Sequence, residues 1–235
     1  MRKMVIILVT LLIFLVGILV VINSKNTVED DSPVSESNQE SSSPINGIEE
    51  AKANREAISK ETNPVATVVL TEGGQDYTFT FELFPDNAPQ SVYNFISLAN
   101  SDFYNGLSIH RLVKDFVMQG GDPEGTGAGG PGYSIKGEFP ANGVETGLTH
   151  QVGALAWARS SQPDSAGSQF YVVLNDGVQN LDNDYGVFGY MIDGYENLEY
   201  FNNLATTSSV PDSPVTIKSV TVDTKGQEYP QPEKL

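Results

Sequence analysis

Three textures of apolar and polar positions run along the chain. Residues 4–22 are apolar throughout except for Thr10 and Gly17. A helix of that length reaches roughly 28 Å, close to the hydrocarbon thickness of a bilayer. Residues 23–63 are rich in Ser, Asp and Glu, with Pro33 and Pro44. They offer too little apolar surface to offset the entropy of ordering, which predicts a flexible acidic spacer. From residue 64 onward, short apolar runs alternate with Gly-, Asn- and Asp-containing turns, the texture of a folded β domain.

Within that domain, segments 65–70 and 77–83 flank Gly73-Gly74, which predicts a hairpin. In the second segment Tyr77, Phe79, Phe81 and Leu83 alternate with Thr78, Thr80 and Glu82, so one face is buried. Segment 88–99 predicts a helix. Asn87 is its expected cap, Pro89 sits in the first turn, and Val92, Phe95, Ile96 and Ala99 share a face. Strand-like runs follow at 107–113, 116–119, 153–158, 169–174, 186–190 and 215–222, with a second short helix expected over 196–204. Residues 47–58 favour helix as well, and are read as a marginal solvated helix inside the spacer. Many short strands with two helices predict an all-β sandwich or barrel. A closed barrel would leave no edge strand to aggregate.

Charge and composition narrow the function. The formal net charge is −17 and the pI is near 4.3, with no cluster of Lys and Arg, which disfavours a nucleic-acid partner. The absence of cysteine excludes disulfides, thiolate nucleophiles, Cys-type zinc sites and lipid attachment through an N-terminal Cys. Arg2 and Lys3 precede the apolar run, whereas Glu29, Asp30 and Asp31 soon follow it. The positive-inside bias therefore leaves the N-terminus in the cytoplasm and the rest outside. The run is longer than a secretory h-region and ends Val20-Val21-Ile22-Asn23-Ser24 without a small-x-small site. That favours an uncleaved single-pass anchor over a cleaved signal peptide. The expected plan is an anchor over residues 1–23, a linker over 24–63, a folded domain over 64–225 and a tail over 226–235.

Several motifs carry no chemistry. Asp182-Asn183-Asp184 suggests a calcium loop, yet Val187 stands where that loop requires Gly and no Glu closes it. Gly127 to Gly132 match G-x-G-x-x-G, but lead into Tyr133-Ser134-Ile135 with no helix to meet a phosphate. Gly167-Ser168-Gln169 lacks the second Gly of a nucleophile elbow. His110 and His150 are the only histidines, too few for a three-His metal site. Arg111 remains, placed between Ile109 and Val113 on a period-two run so that all three face one way. Gln119 ends the next run, and Gln169 begins another just before Phe170 and Tyr171. Each of these alone also fits a structural role, as an exposed barrel Arg or a strand-end Gln.

Their order is more informative. Ile109-His110-Arg111-Leu112-Val113-Lys114-Asp115-Phe116-Val117-Met118-Gln119-Gly120-Gly121-Asp122 resembles the Phe-His-Arg…Phe-Met-x-Gln-Gly-Gly-Asp signature of cyclophilins. Gly153-Ala154-Leu155-Ala156-Trp157-Ala158-Arg159 with Gly167-Ser168-Gln169-Phe170-Tyr171 is similar to the second signature of that family, and Leu181-Asp182 with Val187-Phe188-Gly189 to the third. The resemblance runs from about residue 64 to 222.

It implies an eight-stranded antiparallel closed barrel capped by helices, with a proline pocket on its outer face. It implies peptidyl-prolyl cis-trans isomerisation without metal or cofactor. Arg111, Phe116 and Gln119 align with the catalytic positions. Val117, Ala158, Arg159, Ser160, Gln169, Tyr171, Leu181 and Tyr185 align with the substrate pocket and its rim. The implied substrates are unfolded or nascent polypeptides with X-Pro bonds. Joined to the expected anchor these would be secreted chains, and a monomer is expected because one closed barrel needs no partner to bury its core. The chain departs from common family choices at Asn180 (often Trp), Val117 (Met), Tyr171 (Phe) and Tyr185 (His). Asn180 removes a rim donor and apolar surface that cyclosporin-type ligands would use. A non-catalytic proline-peptide-binding module would use the same groove, but the retained Arg111, Phe116 and Gln119 favour an enzyme. A sugar-binding surface would need an aromatic platform, and the only Trp, Trp157, lies in a run that reads as core.

Overall fold

The computed structural model describes residues 47–235. The expected anchor and the first part of the linker lie outside the described residues. In chain order the elements are helix α1 (Ile48–Ile58), strands β1 (Val65–Glu72) and β2 (Gln75–Leu83), helix α2 (Pro89–Asn100), strands β3 (Arg111–Val113), β4 (Val117–Gly120), β5 (Ala154–Trp157), β6 (Phe170–Val173) and β7 (Val187–Asp193), helix α3 (Tyr195–Asn202), a two-residue pair β8 (Thr206–Thr207) and β9 (Val210–Pro211), and strand β10 (Thr216–Asp223).

The eight longer strands form one antiparallel sheet in the order β10-β1-β2-β7-β5-β6-β4-β3. The expected hairpin is present: Glu72 pairs Gln75 across Gly73 and Gly74, whose φ values of 57° and 81° suit a two-residue turn of positive φ. β2 alternates as expected, with Tyr77, Phe79, Phe81 and Leu83 buried. Inside the curl of the sheet the Phe95 ring of α2 meets Tyr104, Trp157, Phe170 and Phe188 at centroid distances of 5.4–6.1 Å. On α3, Phe201 packs against Tyr77 and Phe79 of β2.

The sheet is an open, curled half-barrel, which corrects the expectation of a closed barrel. Its edges, β3 and β10, share no ladder. The segment before β3 meets β10 through one isolated bridge, Ser108 with Thr216, and through bonds such as Ile109 N–H to the Val215 carbonyl. Beyond that bridge the outer edge of β3 meets the segment before β9 instead, the Leu112 N–H donating to the Ser209 carbonyl. The expected common facing is also corrected: Ile109 is buried in the core, whereas Arg111 and Val113 flank a buried Leu112, so strict alternation is not kept from 109 to 113.

Three further expectations change. Asn87 does not cap α2. Its amide donates to the Thr146 carbonyl, and the Glu138 carboxylate from a distant loop accepts the N–H groups of Gln90 and Ser91 instead. Among the described residues there are three α-helices rather than two, because residues 47–63 are packed onto the domain. The buried Glu82 carboxylate of β2 receives Arg55 of α1 at 3.2 Å, the Ser59 hydroxyl, the Lys60 N–H and the Asn63 amide. Gln151 adds a second tie, donating to the Ala51 carbonyl and accepting from the Asn54 side chain. Residues of the expected tail also dock: the Leu235 N–H bonds the Ser134 carbonyl, and the Glu233 N–H bonds the Gln90 side chain.

The Glu82 cradle makes a stability prediction. Arg55→Met keeps the aliphatic stem of Arg55 but leaves a buried carboxylate without its cation. It should lower unfolding free energy by about 1.5–3 kcal/mol. Urea titration of both proteins measures this; an unchanged midpoint would show that the Arg55–Glu82 pair contributes nothing to the domain's stability.

Candidate active site

The register of the sheet assembles the site on its outer face. Arg111 pairs Gln119, Gln119 pairs Tyr171, and Tyr171 pairs Ala156, so one row crosses β3, β4, β6 and β5. The neighbouring row, Leu112, Met118, Val172 and Leu155, points into the core. Alternation thus sends the polar row outward from a packed interior.

A cavity of about 260 Å³ is lined by Arg111, Phe116, Val117, Gln119, Ala158, Arg159, Tyr171, Leu181 and Tyr185. The two remaining expected residues, Ser160 and Gln169, line an adjoining cavity of about 510 Å³ that shares Gln119, Ala158 and Arg159 with the first. All the residues singled out from the sequence therefore meet at one continuous groove.

A chain of hydrogen bonds runs beneath it. Arg111 Nη1 lies 3.4 Å from Gln119 Oε1, Gln119 Nε2 donates to Gln169 Oε1 at 2.9 Å, and Gln169 Nε2 donates to the Gly129 carbonyl at 2.9 Å. Each amide is thereby oriented by the next. The Arg111 guanidinium also stands 5.6 Å from the Phe116 ring centre. Gly121 lets β4 exit toward this loop: its φ is 84°, and a Cβ there would stand 2.3 Å from the Ser168 carbonyl oxygen. The buried Asp122 then gathers the N–H groups of Glu124, Thr126 and Gly127, shaping the turn that presents Gly129. Burial opposes the charge of Asp122, but the backbone N–H groups of Glu124, Gly127 and Gly129, with His110 nearby, outweigh it and hold its carboxyl below the ordinary value.

The second arginine is held rigidly. Arg159 is sandwiched between Phe139 and Tyr185, with ring centres 4.9 and 4.7 Å away. Its Nε donates to the Asp184 carbonyl and its Nη1 to the Ser160 carbonyl.

Behind the 260 Å³ cavity is an arrangement that residue types alone did not reveal. Tyr171 Oη lies 2.7 Å from His150 Nε2, and His150 Nδ1 lies 2.7 Å from Asp182 Oδ1, which also accepts the His150 N–H at 2.6 Å. Tyr171 in place of the more common Phe was the one signal that a buried partner had to exist. The larger cavity also includes Gly167 and Ser168, which belong to the second signature, and Tyr133 and Ser165, which no sequence pattern distinguished from loop residues.

The site is an outward-facing, largely apolar pocket beside a guanidinium held by Gln119 and Phe116. Residues 67–222 match the family described as "Cyclophilin type peptidyl-prolyl cis-trans isomerase/CLD". The chain belongs to this family, and it is a peptidyl-prolyl cis-trans isomerase. It is 45% identical over 123 residues to peptidyl-prolyl cis-trans isomerase B of Bacillus subtilis (strain 168), covering 52% of this chain and 82% of that protein. It is 34% identical over 207 residues to a putative peptidyl-prolyl cis-trans isomerase of Staphylococcus aureus (strain COL), covering 73% and 99%. Among solved structures it is similar to a Cryptosporidium parvum cyclophilin-type isomerase determined in the presence of the dipeptide Ala-Pro. The TM-score is 0.60 at 30% identity, covering 68% of this chain and 98% of that one.

The buried histidine predicts a pH dependence. Burial pushes the His150 imidazole below its ordinary 6.5, and the opposing pull of Asp182 does not offset it. The unfolded chain therefore binds this proton more readily than the folded one. The stability contributed by neutral His150 is complete above pH 6.5 and is lost as pH falls through the lower folded value. His150→Asn should flatten the acid side of the melting-temperature profile between about pH 7 and 5. An identical slope in the two proteins would contradict it.

Proposed function

We propose that this isomerase assists the folding of secreted or surface polypeptides outside the cytoplasmic membrane, to which its N-terminus anchors it, and that it acts as a monomer. The observation that carries the proposal is the apolar run over residues 4–22, with Arg2 and Lys3 before it and acidic residues after it, joined to an isomerase domain. A monomer suffices because one chain supplies every residue of the groove.

The roles assigned to the groove residues follow from amide chemistry. Twisting the X-Pro bond breaks its resonance, and without help exchange takes tens to hundreds of seconds. In the twisted state the proline nitrogen regains a localised lone pair. Arg111 donates to that nitrogen and so stabilises the twisted amide more than either planar one. Phe116, Val117, Tyr171 and Leu181 hold the proline ring, with Ala158 and Tyr185 at the rim. Gln119 orients Arg111 and contacts the carbonyl that moves. Arg159, Ser160 and Gln169 line the path of the neighbouring chain. No bond to the substrate is made or broken.

Two experiments test these assignments. Arg111→Ala in the full chain should lower kcat/KM for a short X-Pro peptide by about a hundredfold or more, the loss typical of one preorganised donor. A folded wild type that binds the peptide without accelerating exchange would instead favour the non-catalytic binding module. For location, intact cells should hold the protein in the membrane fraction with its domain open to added protease. A protease-resistant domain, or a processed form free in the medium, would overturn the anchored topology.

A further inference from the structure

Tyr171 forms part of the proline pocket wall, yet its hydroxyl points away from the pocket to His150. Asp182 Oδ1 accepts from His150 Nδ1, which fixes the neutral tautomer with its lone pair on Nε2. The Tyr171 O–H is therefore the donor and Nε2 the acceptor. Burial, with Tyr185 and Asp182 nearby, pushes the phenol well above its ordinary range, so the hydroxyl keeps the proton it donates. The far end of the relay returns to the pocket. Asp182 follows the single turn Gln179–Leu181, and Leu181 is another pocket wall. The Asp184 and Tyr185 N–H groups both bond the Leu181 carbonyl.

His150 is itself held from outside the pocket. Its side chain is fully buried, and its neighbour Gln151 is tied to α1 through the Ala51 carbonyl and the Asn54 amide. Two pocket walls on separate elements, β6 and the 179–185 turn, are thus joined through one imidazole. Without the hydroxyl, as with Phe at 171, Nε2 would be a buried acceptor with no partner, and nothing would set the tilt of the ring against Leu181.

We propose that His150 and Asp182 are positioning residues of the proline pocket, acting on one wall through the Tyr171 hydroxyl and on the other through Leu181. The inference rests on the isomerase reading of the groove. The proline ring itself is rigid and meets these walls alike in planar and twisted states of the preceding amide. Loosening the walls weakens both states together, which raises KM and leaves kcat near its wild-type value. Arg111, by contrast, acts on the twisted state and on kcat.

The test is a double-mutant cycle of Tyr171→Phe and His150→Asn in the full chain, with kcat and KM measured separately on an X-Pro peptide. Asn can keep the donor to Asp182 while losing the acceptor for Tyr171. Each single variant should raise KM by about three- to tenfold, the scale of one neutral hydrogen bond. The double variant should be no worse than the weaker-binding single. Multiplying effects, or unchanged KM in folded variants, would overturn the proposal. So would a fall in kcat at constant KM, the signature of less folded enzyme. If His150→Asn does not fold, His150→Gln takes its place in the cycle. An inactive wild type would count against the isomerase reading instead, and the same cycle read as peptide affinity would then decide the positioning role.

Discussion

The register between β3, β4 and β6 is the constraint on which the groove depends. Arg111, Gln119 and Tyr171 stand directly opposite one another, and the adjoining row of Leu112, Met118 and Val172 fills the core. A slip of one residue in any of these strands would bury a charge or an amide and expose a large apolar side chain. The interior therefore specifies the exterior. Aromatic rings around Phe95 occupy the inside of the curl, and the outward row is left as a short polar line beside an apolar hollow. β3 and β4 are only three and four residues long. Their positions come from long-range pairing rather than from strand propensity.

On that register, side chains order one another outward from the backbone. Gly129 holds Gln169, Gln169 holds Gln119, and Gln119 reaches Arg111. The first member of this chain is a carbonyl in a glycine-rich turn built on Asp122. Its glycines let the loop wrap a buried carboxylate and present one acceptor to the sheet. Arg159 is treated similarly, with two carbonyls and two aromatic faces fixing a guanidinium that borders both cavities.

Local patterns made much of this architecture legible. Gly73-Gly74 between two alternating runs specified the hairpin, Pro89 marked the start of α2, and the run holding Trp157 read as core, where it stacks on Phe188. The ordered signatures brought every expected groove residue to one place. What escaped depends on contacts between distant and chemically ordinary residues. Glu82 alternates as an exposed residue would, and only Arg55, Ser59 and Asn63 folding back over it make it buried. Asn87 is a better cap by type than Glu138, yet the carboxylate reaches two N–H groups at once from 47 residues away. Closure of the barrel failed because the β3 edge meets Ser209 rather than β10, a long-range contact that has no sequence signature. The Tyr171–His150–Asp182 line was spread over three segments, and no pattern in the sequence joins His150 to the two signature residues it bridges.

An enzyme that forms no bond with its substrate has only placement to work with. Each tenfold in rate corresponds to about 1.4 kcal/mol of preference for the twisted amide, and a donor displaced or loosened loses that preference. Rigidity of the groove is therefore part of its chemistry. Here it is supplied without disulfides, by polar ties that are largely shielded from solvent: the amide chain under Arg111, the imidazole behind Tyr171, and the carboxylate that docks α1. Such ties act in a low-dielectric setting, where a lost partner costs more than at the surface. The docking of α1 belongs to the same argument. Gln151 links α1 to the loop that carries His150, so a helix remote from the substrate bears on the geometry of the pocket through a single buried side chain.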